Sequence, residues 1–215
     1  MADIDRIAQE VVRRLRSPEP KRENPGTGIP VTISARHVHV SRSTLETLFG
    51  ERYALTKARD LGQPGEFASK ARVTVVGRSG RAIEGVRVLG PVRSYTQLEI
   101  SGTDAFRLGI EAPVRRSGDL SGTESATLVG PAGSIFLREG VIRATRHIHM
   151  TPRDAEIQHV ADGDLVRVRL PGDRALVLEK VLVRVDPNAA LELHLDTDDA
   201  NAAGIRPPLA VEILR

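Results

Sequence analysis

The chain has 215 residues, of which 40% are hydrophobic and 27% charged, and its formal net charge of +3 is modest; this is typical of a soluble globular protein with one large or two small domains. No apolar run approaches the roughly 20 residues that span a bilayer, so no membrane partner is expected. The chain has only two tyrosines, four phenylalanines and no tryptophan, which is too little base stacking to favour a nucleic-acid partner. Cysteine is absent, which excludes disulfides and thiolate ligands, so any metal must be held by histidine and carboxylate.

The first 28 residues are predicted to form an amphipathic helix and a linker. Apolar residues recur at helical spacing over residues 1–16, and residues 17–28 combine three prolines and two glycines with charges, as linkers do. A helix this short is marginal alone. Its apolar stripe therefore either docks on a partner surface or belongs to a frayed terminus.

From Ile29 onward, short β-rich segments alternate with glycine and proline turns. Short helices are predicted at 43–49, with Ser43 as N-cap, and at 152–158, with Thr151 as N-cap. Strands are predicted at 73–76, 83–89, 98–100, 126–129, 166–170, 176–185 and 191–195. Many short strands separated by turns favour a mainly β fold of small closed barrels capped by short α-helices.

An internal repeat carries most of the functional signal. Residues 31–41 (VTISARHVHVS) return as residues 141–151 (VIRATRHIHMT). Each copy is interpreted as a strand that ends in Arg-His-x-His, followed by a Ser or Thr that can begin a helix. A repeat on this scale predicts two related halves, and we expect them to share one site to which each half contributes one copy of the motif.

Four of the six histidines form two His-x-His pairs. Side chains i and i+2 of a strand point to the same face, so His37 and His39 converge, as do His147 and His149. Two imidazoles on one face form half of a metal site. A single pair could equally be the solvent-facing polar residues of an alternating strand. Two pairs, each preceded by arginine and set in similar sequences, favour metal ligands.

Further ligands are expected on nearby strand segments. His194 shares a predicted strand face with two acidic residues and is a candidate ligand. Glu99 alternates with two apolar residues, which leaves it either a carboxylate ligand or a solvated residue. His159 follows a predicted helix and is interpreted as structural or solvated.

Two loops offer groups that bind anions. The segment 90–96 contains Arg93, and the segment 115–119 contains Arg115, Arg116 and Ser117 with several backbone N–H groups in a turn. Either loop is suited to phosphate or is a charged surface turn. The chain has no Walker A, G-x-G-x-x-G or G-x-S-x-G motif, which excludes the commonest nucleotide, dinucleotide and serine-hydrolase sites.

Taken together, these segments resemble the PduL-type phosphate acyltransferases, the phosphate propanoyltransferase family. The matching segments run in order from about Pro30 to Gly204, and residues 1–28 fall outside them. They are 36–41 (RHVHVS), 55–67 (LTKARDLGQPGEF), 87–93 (RVLGPVR), 96–101 (TQLEIS), 104–109 (DAFRLG), 117–120 (SGDL), 146–152 (RHIHMTP) and 191–204 (LELHLDTDDANAAG).

The resemblance implies a fold of two small β-barrel domains capped by short α-helices. Residues 29–36 with 145–215 would form the first barrel and residues 37–144 the second. Residues 1–28 are similar to the segment that targets some relatives into a bacterial microcompartment. This similarity implies a location in the bacterial cytoplasm, inside such a compartment, with a shell or cargo partner for residues 1–16. Assembly into a homo-oligomer is left open.

The resemblance also implies a phosphotransacylase that moves a short acyl group between coenzyme A and inorganic phosphate, with two zinc ions per chain. Arg93 would contact phosphate, and Ser117 would be a further site residue. One zinc ion, which takes the coenzyme A sulfur, would be held by His37, His39 and Glu99. The other, which takes phosphate or water, would be held by His147, His149 and His194.

Two other classes of function stay open. One is a dinuclear metal hydrolase of thioesters or phosphoesters, which an assay with and without phosphate distinguishes from a transferase. The other is a non-catalytic scaffold whose histidines are structural, which metal analysis and calorimetry with coenzyme A test. The sequence decides neither the acyl chain nor the metal, because histidine and carboxylate sets also accept cobalt, manganese or iron.

Overall fold

The computed structural model describes residues 28–214 and shows fourteen strands and four short helices in that range. The predicted helix over 1–16 and the linker up to residue 27 lie outside the described residues. The elements are β1 (Ile29–Ser34), β2 (His37–Ser41), α1 (Arg42–Phe49), β3 (Lys57–Asp60), β4 (Phe67–Val76), β5 (Ala82–Arg93), β6 (Gln97–Glu99), α2 (Gly102–Leu108), β7 (Val114–Arg115), β8 (Glu124–Val129), β9 (Ser134–Ala144), β10 (His147–Met150), α3 (Pro152–Gln158), β11 (Leu165–Leu170), β12 (Leu176–Val185), β13 (Glu192–Asp196), α4 (Thr197–Ala203) and β14 (Ala210–Leu214).

The strands form two closed six-stranded barrels, which confirms the predicted fold class. Barrel A has the strand order β1-β13-β10-β12-β11-β14. Barrel B has the order β4-β5-β2-β6-β9-β8 and closes because β8 pairs with both β4 and β9. Two short strands extend barrel B at its edges, β3 beside β4 and β7 beside β9. Within residues 28–214 the structure contains no helix that could span a membrane.

The two barrels repeat the same ring of pairings. In barrel A, β10 lies parallel to β12 and antiparallel to β13, and in barrel B, β2 lies parallel to β5 and antiparallel to β6. Beyond them, β1 lies parallel to β13, and β9 lies parallel to β6. The repeat in the sequence therefore corresponds to a repeat in topology, as the prediction of two related halves required.

Each copy of the sequence repeat is a crossing from one barrel to the other. The chain leaves barrel A after β1 and enters barrel B at β2, and it leaves barrel B after β9 and enters barrel A at β10. The interpretation of each copy as one strand ending in the histidines is therefore wrong. The strand stops at residues 35–36 and 145–146, because the histidines pair with strands of the opposite barrel from the residues before them.

Both crossings are anchored to a helix by an ion pair. Arg36 contacts Asp104 of α2 through two bonds of 2.7 and 2.8 Å, and Arg146 contacts Asp199 of α4 at 3.2 Å. Asp104 is 2% exposed and also forms a capping box with Ser101 at the start of α2. The arginine of each Arg-His-x-His motif thus fixes the direction in which the chain enters the next barrel.

Strand alternation decides which side chains leave the barrel cores. Val38 and Leu98 are fully buried in the core of barrel B, and Ile148 and Leu193 are fully buried in the core of barrel A. Their neighbours along each strand consequently point outward from the barrels. These outward positions include all six predicted metal ligands.

The short helices follow their predicted signals in part. Helix α3 begins as predicted, with Thr151 as N-cap, and ends at His159, whose backbone is left-handed with a φ of 55°. Helix α1 begins at Arg42, one residue before the predicted range, and its N-cap lies two residues earlier than predicted, because the side chain of Ser41 rather than Ser43 accepts the bond from the backbone N–H of Thr44. Either serine fits the N-cap preference, and the end of β2 decides between them.

Candidate metal and anion site

The two histidine pairs open onto a single cavity of about 550 Å³ that is lined by residues of both barrels. The cavity brings together side chains that are more than 100 residues apart in the sequence. All eight predicted site residues line it, namely His37, His39, Arg93, Glu99, Ser117, His147, His149 and His194. Arg115 and Arg116 of the second predicted anion loop are not among its lining residues.

The first cluster lies on the outer face of barrel B. His37 and His39 come from β2, and Glu99 comes from β6, where it is the cross-strand partner of His37. One potential ligand atom from each residue lies within 4.8 Å of the others, and His37 Nε2 is 3.5 Å from a Glu99 carboxylate oxygen. Glu99 therefore points at the histidines rather than at solvent.

The second cluster lies on the outer face of barrel A. His147 and His149 come from β10, and His194 of β13 is the cross-strand partner of His147. Their potential ligand atoms also lie within 4.8 Å of one another, and the Nε2 atoms of His147 and His149 are 3.1 Å apart. Glu99 and His194 thus occupy the same position in the two barrels.

Two of the histidines are held with Nε2 free to bind a metal. The Nδ1 atoms of His37 and His147 bond to the backbone carbonyls of Ala35 and Thr145 at 2.9 and 2.7 Å, so Nδ1 carries the proton and Nε2 is free to act as a ligand. Burial, reinforced by neighbouring positive charge, lowers the pKa of His39 to about 2, of His147 to about 4 and of His149 to about 3.

These properties fit divalent metal ions. Imidazoles with such low pKa values are neutral near pH 7, as metal ligation requires. In the first cluster, the buried Nδ1 of His39 has no hydrogen-bond partner in the described part of the chain. In the second cluster, the Nε2 atoms of His147 and His149 face each other and need a proton or a cation between them. Two or three histidines with a carboxylate are ligands that suit zinc.

A buried carboxylate accompanies the second cluster. Glu192, the cross-strand partner of His149, lies 2.7 Å from His194 Nε2 and accepts hydrogen bonds from the Thr32 hydroxyl and from Gln63 Nε2. Burial raises the pKa of Glu192, but these hydrogen bonds outweigh it and lower the pKa to about 2. Glu192 is therefore ionised, and its charge faces His194.

A loop from barrel B reaches over to hold this carboxylate. Gln63 exchanges hydrogen bonds with the backbone of Ala190 at 3.0 and 3.2 Å while it also bonds Glu192. At Gly62, a Cβ atom would lie 2.4 Å from a Glu192 oxygen. The loop can approach this closely only without a side chain at that position.

Gln97 takes the place of Glu192 beside the first cluster. It is the cross-strand partner of His39 and is fully buried. Its Nε2 donates to Glu99 and to Ser117 Oγ, the latter at 2.8 Å, and its Oε1 accepts from the backbone N–H of Gly118 at 2.7 Å. Each cluster therefore has one carboxylate. In the first cluster it is Glu99, a predicted ligand, and in the second it is Glu192, two residues before the predicted ligand His194.

Two arginines flank the clusters. Arg93 donates to Ser117 Oγ at 3.3 Å and to Glu66 at 2.8 Å, and its charge helps to lower the pKa of His39. Arg184 is the cross-strand partner of His149, lines the cavity and makes no ion pair with any residue in 28–214. Both guanidinium groups line the cavity and can hold an anion there.

Several of these residues were not predicted as site residues. Glu192 is one of the two acidic residues on the predicted strand face of His194, and Gln97 likewise lies two positions before Glu99, so strand alternation could have identified both. Glu66 and Gln63 fall in a segment quoted only for its resemblance. Nothing in the local sequence distinguishes Arg184 from the other arginines, and only the parallel pairing of β10 with β12 brings it to His149.

Comparisons with known proteins show which family this chain resembles over most of its length. A family model described as phosphate propanoyltransferase matches residues 30–206. A phosphate propanoyltransferase of Thermotoga maritima is 58% identical, covering 82% of this chain and 84% of the relative. Proteins of the same name from Priestia megaterium and Clostridioides difficile are 52% and 43% identical, covering 93% and 99% of this chain and 89% and 97% of the relatives.

The match extends over all the strands that contribute to the two clusters, and the relatives are similar in length to this chain. The resemblance that the motifs carried is therefore confirmed. The chain belongs to the phosphate propanoyltransferase family of enzymes.

Proposed function

We propose that the protein is a phosphotransacylase that converts acyl-CoA and phosphate into acyl phosphate and coenzyme A, and the reverse, at a dinuclear zinc site. The observation that carries this proposal is the opening of both three-residue clusters onto one cavity with two flanking arginines. The names of the relatives support a propanoyl group as the acyl group, and acetyl is the obvious alternative.

We assign one zinc ion to each cluster, with the first cluster on the coenzyme A side and the second on the phosphate side. When bound, the two ions supply Lewis-acid stabilisation of negative charge. The ligands would be His37, His39 and Glu99 for one ion and His147, His149 and His194 for the other.

The protein residues position two anionic substrates for direct transfer. Arg93 offers a planar fork of N–H donors that matches a phosphate edge, and Ser117 and Tyr95 hold that fork in place. Arg93 also bonds Glu66 through Nη2, and its remaining N–H groups are available to phosphate. Arg184 provides a second positive charge from the side of His149.

In the reaction, a phosphate oxygen attacks the thioester carbonyl carbon. The new C–O bond forms, the C–S bond breaks, and its electron pair leaves on the coenzyme A sulfur. Negative charge develops on the carbonyl oxygen and then on the sulfur, and guanidinium groups in a confined cavity stabilise such charge. Alignment of two bound reactants accounts for up to ~7–11 kcal/mol of barrier lowering in model reactions.

The chain needs no covalent acyl intermediate for this transfer.

A hydrolase of thioesters or phosphoesters is the alternative, with water in place of phosphate as acceptor. The cavity favours the transferase over a thioester hydrolase, because Arg93 and Arg184 would have no phosphate acceptor to bind if water attacked the thioester. Release of coenzyme A that depends on added phosphate supports the transferase, whereas release at the same rate without phosphate supports the hydrolase.

Replacement of His147 tests the proposed site directly. His147→Ala removes a central member of the second cluster, and we expect it to abolish phosphate-dependent release of coenzyme A from propanoyl-CoA. His159→Asn is the matched control, because His159 lies outside the cavity and asparagine tolerates its left-handed backbone. Near-normal turnover by folded His147→Ala would contradict the proposal.

Two further proposals concern the division of the chain into domains and the role of the N-terminal segment. We infer that residues 29–36 with 145–215 and residues 37–144 are separate domains, because each barrel has its own buried core. We also propose that residues 1–28 target the enzyme into a bacterial microcompartment, as their composition and their resemblance to targeting segments suggest. A fluorescent protein fused to residues 1–28 should concentrate in co-expressed shells, and diffuse fluorescence would contradict this.

A further inference from the structure

Two arginines extend the row of residues that holds the first cluster, and a third lies on the next strand, where it is paired with Ala68. Across the strands of barrel B, Glu99 of β6 is paired with His37 of β2, His37 with Arg87 of β5, and Arg87 with Arg72 of β4. Paired residues of neighbouring strands are about 5 Å apart, so Arg87 and Arg72 lie one and two strands away from His37. Arg59 lies on β3, the strand beyond β4.

The backbone holds two of these guanidinium groups in place. The register between β4 and β5 shifts between Ala68 and Arg72, and within this irregular stretch the carbonyl of Ser69 accepts a bond from Arg87 Nη1. Arg72 Nη1 donates to the carbonyl of Gly85 at 2.8 Å. Such irregularities aim side chains beside functional sites. Each guanidinium carries five N–H groups, so most of these donors stay available.

The positive charge of the three arginines is not compensated. No carboxylate within residues 28–214 forms an ion pair with any of them, and the adjacent Asp60 bonds Lys57 at 2.7 Å instead. Burial and then the charges of Arg72 and Arg59 lower the pKa of Arg87. Like charges gathered without a counterion attract an anion from solution.

We propose that Arg59, Arg72 and Arg87 form a phosphoryl-binding subsite at the edge of the catalytic cavity. Arg59 and Arg87 line the same cavity as both histidine clusters. The identity of the ligand rests on the proposed function, because both substrates of a phosphotransacylase carry phosphoryl groups. These groups are the phosphates at the nucleotide end of coenzyme A and inorganic phosphate itself. Guanidinium forks bind either kind of group in the same way.

Kinetics of the Arg87→Gln variant with three substrates test this subsite and identify its ligand. The KM is measured for propanoyl-CoA, for propanoyl-pantetheine, which has the same thioester without phosphates, and for inorganic phosphate. Arg138→Gln is the matched control, because Arg138 is an exposed arginine of barrel B that does not line the cavity. We expect the KM of a phosphoryl-bearing substrate to rise about tenfold or more in Arg87→Gln and to stay unchanged in Arg138→Gln.

Each result has one meaning. A higher KM for propanoyl-CoA with no change for propanoyl-pantetheine assigns the subsite to the nucleotide end of coenzyme A. A higher KM for phosphate, with either thioester, assigns it to the phosphate substrate. Unchanged KM values for all three substrates, both in folded Arg87→Gln and in the triple variant that also replaces Arg59 and Arg72 with Gln, would overturn the proposal.

A binding measurement keeps this test independent of the proposed function. Calorimetry of the unaltered chain with adenosine 3′,5′-bisphosphate and with inorganic phosphate detects the subsite even if the protein shows no transacylase activity. Binding of either probe that weakens about tenfold in Arg87→Gln supports the subsite. Equal binding by both proteins, or no binding by either, contradicts it.

Discussion

Replacement of Glu192 by glutamine tests whether the buried carboxylate supports the second cluster. Glutamine has nearly the same size and shape, so the packing around residue 192 should persist. The negative charge that faces His194 is lost, however, and one acceptor oxygen becomes an N–H₂ donor. We therefore expect Glu192→Gln to fold and to bind zinc more weakly at the second cluster alone.

The size of the effect follows from the hydrogen bonds of Glu192. Three donors converge on its two oxygens, from Thr32, Gln63 and His194, and the single oxygen of glutamine cannot accept from all of them. A hydrogen bond to a charged group contributes about 1.5–3 kcal/mol. Because 1.4 kcal/mol corresponds to a tenfold change in affinity, zinc should bind about 10- to 100-fold more weakly. Loss of outer partners of metal-ligating histidines has effects of this size.

Competition with a chromophoric chelator measures this loss. The unaltered chain should bind two zinc ions, and Glu192→Gln should weaken one binding step and leave the other unchanged. Glu212→Gln is the control, because Glu212 is exposed on β14 and does not line the cavity. If both zinc affinities of Glu192→Gln stay within twofold of the unaltered chain, the carboxylate does not act on the cluster and the reasoning fails.

Two further predictions concern stability. Asp104→Asn breaks the ion pair with Arg36, and we expect urea denaturation to show that the free energy of unfolding falls by about 2–4 kcal/mol. This is less than for a fully buried pair, because Arg36 is 40% exposed. A change under about 0.5 kcal/mol, as at an ordinary surface position, would contradict this. The second prediction concerns His39, His147 and His149, whose pKa values lie below the ordinary 6.5. Below pH 6.5 the unfolded chain therefore binds more protons than the folded chain. The free energy of unfolding of the metal-free protein falls by about 1.4 kcal/mol per pH unit for each such histidine. Thermal unfolding with chelator at pH 7.5, 6 and 5 should show a falling Tm, and a constant Tm would exclude buried neutral histidines.

Strand periodicity was sufficient to predict how each histidine pair points. The period of two requires His37 and His39 to leave the strand on one face, and the complete burial of Val38 on the opposite face agrees with this. The repeat was likewise sufficient to predict two related halves. Both features are local or periodic, and so they are visible in the chain itself.

The partners of the histidines depend on pairing between distant strands. Glu99 could be judged only once β6 was known to pair with β2, in the register that places it opposite His37. Strand periodicity likewise did not show the crossing between barrels at residues 35–36, which only the family resemblance implied, since a strand carries no local mark of the sheet it joins. Helices α2 and α4 were not predicted, although Ser101 and Asp196 are ordinary N-caps and each helix ends at a left-handed glycine.

The exchange of strands between the barrels sets an order of assembly during synthesis. Residues 37–144 contain every strand of barrel B, so this barrel can close while the ribosome is still making the rest of the chain. Strand β1 emerges first but must wait for β13 and β14, which emerge last. An unfinished polypeptide can therefore hold the first histidine cluster but never the second, and the cavity exists only once almost the whole protein has been translated.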